Sequence, residues 1–452
     1  MSVSGPLGAT PQGGAYGLRT AVIRTRSSRY RAYAGIVGLS GVLLSGGVIA
    51  LAASGTDLLL PESVRPIPTW LAGPFGTTGL GLGHAGLIIA LFLMSGFYVL
   101  AVTHAGRLSG RAVLASIAGL YALVLLAPPL LSTDLFSYQS YARMEALYGA
   151  NPYLSGPHAI ALDPLYAFVG AKWVTTPTAY GPLFTALSYP FATLDIAASA
   201  VAFKAIAAVS SLVLVAIVWN AARLRGLDPV RATVLVGLNP LLVIYGIGGG
   251  HNDLLMLAVL CAGLLALLRQ RDRAAGALTV VAVGIKLTAG LMLPFAVAGR
   301  PGRRRDLLTG AGVAGAALAV LAAAMFGAGP LHLLATLQHN QANGDWHSIP
   351  GFISTRLGFG NVGHVLSFVL AGGFVVAFCL LLRKVWRGEM DWIAGVGWAT
   401  AAMLLTAGSL LPWYVAWILP FAALAGDRRL RTTAIALTCL VQGILLIGYV
   451  PH

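Results

Sequence analysis

Charge is what this chain has least of. Asp, Glu, Lys and Arg make up 10% of its 452 residues, and 58% are hydrophobic. A soluble domain carries about 25% charged residues. At this length so few charges cannot cover a surface in water, and a bilayer is the solvent that suits a mean hydropathy of +0.82. Cysteine is scarce too: Cys261, Cys379 and Cys439 lie inside apolar runs at no metal-ligand spacing, so they read as packing residues. Asp-x-Asp is absent, which removes the usual carboxylate grip on a metal-bound nucleotide-sugar. Gly248 to Gly250 do not lead into the Lys-Ser/Thr of a phosphate-binding loop, and no serine-centred nucleophile elbow occurs. These absences point to a site that works without nucleotide; no metal ligands and no cofactor are assigned to it, and a divalent ion held by Asp134, Asp253 and Asp345 together stays open.

What charge there is has a pattern. The net charge of +15 comes from 29 Lys and Arg against 14 Asp and Glu. The cations fall in short clusters between apolar runs, which is how the positive-inside rule distributes them and needs no nucleic-acid partner. Apolar runs at 33–53, 81–103, 112–131, 198–222, 232–249, 253–269, 306–328, 363–383, 392–411, 413–426 and 432–450 read as spans. The run 275–297 is broken by Lys286 and flanked by arginines on both sides, so it reads as a hairpin of two short helices with Lys286 near its apex. The proline-bearing run 180–194 reads as re-entrant or interfacial. Residues 1–30 read as a disordered basic cytoplasmic tail, and 31–452 as one transmembrane domain with large external segments at 132–197 and 329–362. With the N-terminus inside, 23 of the 29 cations are cytoplasmic; the exceptions are Arg65, Arg143, Lys172, Lys204, Lys286 and Arg356. Lys204, near a span end, reads as snorkelling to the interface.

The polar residues that stand out gather on the other side. Ser132-Thr133-Asp134 opens a short helical pattern with Tyr138, Tyr141 and Arg143, followed by Asn151-Pro152-Tyr153. Asp134 at a membrane edge is costly without a partner or a task. It is either a helix cap or a general base of raised pKa. Gly248-Gly249-Gly250-His251-Asn252-Asp253 makes a tight external turn whose polar residues either cap the next helix or meet sugar hydroxyls. Gln338 to His347, with His339, Asp345, Trp346 and His347, has the amide, imidazole and indole groups of a carbohydrate surface. Lys286 and Arg356 are the outer cations suited to a lipid phosphate. Trp413 and Tyr414 read as interfacial anchors.

The ordered set Asp134-Leu-Phe-Ser-Tyr138, Asn151-Pro-Tyr153, Ala179-Tyr-Gly-Pro182 and Gly250-His-Asn-Asp253 resembles the actinobacterial polyprenol-phosphate-mannose-dependent α-(1→6)-mannosyltransferases, from about residue 30 onward. The resemblance implies an all-α polytopic membrane protein of the C-type glycosyltransferase fold with about 13 transmembrane helices. It implies mannose transfer from polyprenyl-phosphate-mannose to a lipid-anchored mannan of the lipomannan type, with inversion, at the periplasmic face of the plasma membrane. It puts Asp134 in the place of the catalytic base and matches Asn151, Tyr153, Tyr180, His251 and Asp253 to recurring motif positions. Tyr138, Arg143, Asn252, His339, Asp345, Trp346 and His347 are then further sugar- or acceptor-binding expectations, and Lys286 and Arg356 the donor-phosphate ones. C-type transferases of another linkage, such as α-(1→2)-mannosyl or arabinofuranosyl transferases, are the nearest alternative. A transporter would want its polar residues near the midplane rather than at one rim.

Overall fold

In this computed structural model the described residues are 14–342, 348–356 and 362–448, with Met1 and Gly358. Their regular secondary structure is all helical, with no strand among them. The first four helices are α1 (Gly14–Ala52), α2 (His84–His104), α3 (Gly110–Leu126) and α4 (Asp134–Tyr148). After α5 (Pro182–Ser188) come α6 (Ile196–Leu224), α7 (Pro229–Gly237), α8 (Asp253–Leu268), α9 (Asp272–Ile285) and α10 (Met292–Ala298). The last are α11 (Arg304–Phe326), α12 (Leu333–Ala342), α13 (Ile349–Gly351), α14 (Val362–Trp386), α15 (Trp392–Thr406), α16 (Leu419–Leu424) and α17 (Arg428–Gly448).

Among the described residues six helices are long and apolar enough to cross a membrane, or seven if one bent pair is counted. The expected number was about 13. The shortfall has a physical cause: several apolar runs are cut below the roughly 20 residues a span needs. The run 232–249, read as one span, breaks after α7 and continues as a π-helical turn (Leu241–Ile247) bent by 47°. Pro240 has no N–H to continue the ladder. Asn239 fills the gap, its Oδ1 accepting from the N–H groups of Leu241 and Leu242 at 3.0 and 3.2 Å. At the N-terminus the helix reaches back to Gly14, so much of the expected tail continues α1.

The hairpin read at 275–297 is present. The chain is extended at Lys286 (φ −150°, ψ 127°), between α9 and a 3-10 turn (Leu287–Leu291) that leads into α10. Its two ends are tied together, with Asp272 paired to Arg300 at 2.8 Å and Arg303 at 3.2 Å. Glycines set how closely α9 and α11 pack: a Cβ on Gly276 or Gly310 would strike the facing backbone at Leu307 or Arg273.

The loops sort into two groups. Arg225 pairs with Asp391 at 2.9 Å, Arg304 lies 3.8 Å from the Trp386 ring, and the Trp398 indole donates to Asp427 at 2.9 Å, so the basic connections pack on one another. The other connections also interlock. Leu131 N–H donates to Leu59 O at 2.9 Å, Leu130 N–H to Gly248 O at 3.0 Å, and Ser63 Oγ to Phe168 O at 2.7 Å. Gln341 Oε1 accepts from the N–H groups of Gly408 and Ser409 at 3.0 and 3.2 Å. It is this second layer that assembles the site.

Candidate active site

Asp134 is placed by a corner. Pro128 and Pro129 follow the end of α3, and the two backbone bonds of Leu130 and Leu131 pin the link to the glycine turn and to Leu59. Lys204 of α6 locks the same corner, donating to the carbonyls of Ala127 and, at 3.0 Å, Pro128. At 1% exposure Lys204 does not snorkel. The two carbonyls at the end of α3 lack helical partners, and a buried ammonium satisfies them.

The Asp134 carboxylate does not cap α4. It accepts no backbone N–H and faces the Tyr180 hydroxyl, which donates to Oδ2 at 3.3 Å, and His251 Nδ1, also 3.3 Å from Oδ2. Its side chain is 14% exposed. Burial alone would raise its pKa. The His251 imidazole, the Lys286 charge and the Tyr180 hydroxyl together outweigh burial and hold the carboxyl below the usual carboxylate range. The expected raised pKa is therefore reversed, and Asp134 is ionised at neutral pH.

His251 is fully buried and stacks on Trp413, with centroids 3.5 Å apart and planes 20° apart. The turn before it needs glycine. A Cβ on Gly249 would lie 2.7 Å from His251 Nε2, and Gly250 has φ +68°. Neither Asn252 nor Asp253 caps α8 with its side chain. Asp253, 1% exposed, instead accepts from Lys286 Nζ and from the Trp417 indole, each at 2.7 Å. The Lys286 ammonium also lies 4.8 Å from the Tyr414 ring centroid. A cation at a hairpin apex is thus fixed by a carboxylate beneath it and an aromatic face beside it.

Asp134, Tyr180 and Lys286 line one cleft, together with Ser137, Tyr141, Trp173, Thr176, Asn340, Gln341 and Tyr414. The space between its walls, open mouth included, is about 680 Å³.

Several expected site residues have other occupations. Arg143 is paired with buried Asp163 at 2.8 Å and donates to Leu194 O at 2.8 Å, closing the 150–195 segment onto α4. Asn151 donates to Phe326 O at 2.8 Å and so fastens that segment to α11, while Tyr153 donates to Tyr180 O at 2.9 Å and braces the segment internally. Tyr138, 1% exposed, packs edge-on against Tyr180, Phe184 and Phe203, and exchanges long hydrogen bonds with Asn252. These four position the cleft, and Asn252, 2% exposed, does so from the glycine turn. None of the five is among the residues lining it. His339 is on the exposed side of α12, which sends Asn340 and Gln341 into the cleft instead. Asp345, Trp346 and His347, and the side chain of Arg356, lie outside the described residues.

Sequence reasoning missed Trp173, Trp413, Tyr414 and Trp417 as site residues. Trp413 and Tyr414 are no surface anchors: Trp413 is 6% exposed against His251, and Tyr414 is beside Lys286. The available signal was three large aromatics within five residues after Pro412, in an apolar run too short to span.

A family model described as the N-terminal domain of alpha-(1->6)-mannopyranosyltransferases matches residues 32–300, and that of glycosyltransferase family 87 matches residues 178–448. Alpha-(1->6)-mannopyranosyltransferase A of Mycobacterium tuberculosis is 30% identical over 447 residues, covering 88% of this chain and 81% of its own. The protein of the same name from Corynebacterium glutamicum is 34% identical over 188 residues, 39% of this chain and 37% of its own. Alpha-(1->6)-mannopyranosyltransferase B of that organism is 29% identical over 362 residues, 69% and 59%. The chain spans less than two thirds of either corynebacterial protein. No solved structure matches it.

Proposed function

The chain belongs to the alpha-(1->6)-mannopyranosyltransferase family, and from that premise we propose that it moves mannose from polyprenyl-phosphate-mannose to a lipid-anchored mannan, forming an α-1,6 bond at the periplasmic face of the plasma membrane. It is a membrane mannosyltransferase, and the donor, acceptor, sidedness and residue roles are the proposal. The observation that carries these roles is that Asp134 and Lys286, from segments 152 positions apart, line a single cleft.

In the proposed reaction an acceptor hydroxyl oxygen attacks C1 of the β-mannosyl phosphate. The new C1–O bond forms as the C1–O(phosphate) bond breaks, which inverts the anomeric centre. Asp134 takes the hydroxyl proton, and the polyprenyl phosphate leaves with the bonding pair. Lys286 meets the charge on that phosphate, and Asp253 and Tyr414 hold Lys286 in place. An ionised carboxylate of low pKa is a weak base, which suits a transition state of oxocarbenium character where C1–O cleavage leads proton transfer. A phosphate monoester is already a good leaving group, so a single carboxylate suffices.

Asp134→Asn tests this. The amide keeps the shape and the Tyr180 contact but cannot accept the proton. Transfer should fall by about 10²–10⁴-fold, the usual share of general-base catalysis, while donor binding stays within twofold. Near-normal turnover would remove Asp134 from the mechanism.

A further inference from the structure

The cleft has two walls of different chemistry. Lys286, Ser409, Leu411 and Tyr414 come from the hairpin apex and the segment before Trp417, and they carry the cation. A second group of lining residues, Trp173, Thr176, Pro177, Ala179 and Tyr180, comes from the 150–195 segment, with no carboxylate or cation among them. Trp173 is half-buried at the end of a 3-10 turn (Ala171–Trp173), its N–H donating to Gly170 O at 2.7 Å. The Lys172 ammonium lies 5.1 Å from its ring centroid. Gly170 seats this turn against the start of α4: a Cβ there would be 2.6 Å from Thr133 Oγ1 and 3.3 Å from Trp173 Cδ1. The indole is therefore docked beside the residue that precedes Asp134.

We propose that Trp173 is the stacking platform for the acceptor sugar. A pyranose presents a face of C–H groups that an indole ring covers well, and its hydroxyls need polar partners at the edge. Thr176 and Asn340, which line the same cleft, supply those partners. A sugar seated this way directs one hydroxyl to Asp134 while the donor phosphate occupies the cationic wall. The proposal rests on the mannosyltransferase reading for the choice of sugar, and it adds the acceptor subsite to it.

The test uses the full chain purified in detergent, with Trp173→Phe and Trp173→Ala. Acceptor KM with an α-1,6-mannan oligosaccharide should rise about tenfold or more in the Ala variant, the scale of one aromatic contact. The Phe variant should recover part of that loss, and donor KM should stay within twofold in both. Equilibrium binding of the oligosaccharide alone, without donor, scores the subsite separately from the reaction. Wild-type binding that Trp173→Ala loses supports the platform even if no transfer from polyprenyl-phosphate-mannose is seen, in which case it is the donor reading that fails. An unchanged acceptor KM in Trp173→Ala, an equal rise in both KM values, or no oligosaccharide binding by the wild type would overturn the proposal.

Discussion

At the scale of single residues, the informative feature is what each polar group is paired with. Asp134 and Lys286 were legible as outliers: a carboxylate at a membrane edge and a cation inside an apolar run are both expensive without a role. Their environments were not legible. The pKa of Asp134 depends on His251, Lys286 and Tyr180, and no local pattern reveals a partner 117 or 152 positions away. Likewise Arg143 has the chemistry of a ligand-binding residue, but Asp163 already occupies it. Asp253 shows why the distinction matters. It is buried and holds Lys286, so Asp253→Asn leaves a desolvated ammonium without its counter-charge. Removing one member of a buried pair costs about 3–5 kcal/mol, so thermal stability should drop and donor affinity weaken by tenfold or more. Adding Lys286→Met to that variant should return stability but not donor binding. Restored donor binding in the double variant would show that Lys286 does not serve the phosphate.

At the scale of elements, breaks and corners do the positioning. The hairpin at Lys286 was readable because arginines at both ends demanded a return to the same side, and Asp272 bonded to Arg300 and Arg303 accounts for its closure. The break after α7 was not read, although Asn239-Pro240 is the pair of residues that causes it. The run Leu411-Pro412-Trp413-Tyr414 was readable as a turn, but stacking on His251 joins elements 162 residues apart. The corner at Pro128 and Pro129 is braced by Lys204, which also packs against Gly250, so one side chain supports both the Asp134 and the His251 segments. Lys204→Met removes the buried charge and leaves two carbonyls unsatisfied. Expression should persist, kcat should fall at least tenfold, and donor KM should stay within twofold, because the cationic wall is built by other elements. Wild-type kcat in that variant would show that the corner holds without it.

At the scale of the whole molecule, two sets of connections pack at separate places in the bundle. One contains arginines bonded to Asp272, Asp391 and Asp306, and the other contains the cleft. The grouping of loops followed from the distribution of cations, which is a long-range regularity that survives errors in individual spans. The number of spans did not follow. Hydropathy counts apolar runs, and among the described residues several of those runs are helices of 10–17 residues or a bent pair, shorter than a single full span. The central claim is that the face opposite the arginine-rich loops carries out mannosyl transfer from a lipid donor. Its most direct test is reconstitution in liposomes with polyprenyl-phosphate-mannose in the membrane and an impermeant α-1,6-mannan oligosaccharide outside, with loop orientation mapped by protease and the product by linkage analysis. The account predicts α-1,6-mannosyl product made by those molecules whose arginine-rich loops face the lumen. Product of another linkage, or product made when the arginine-rich loops face the acceptor, would contradict it.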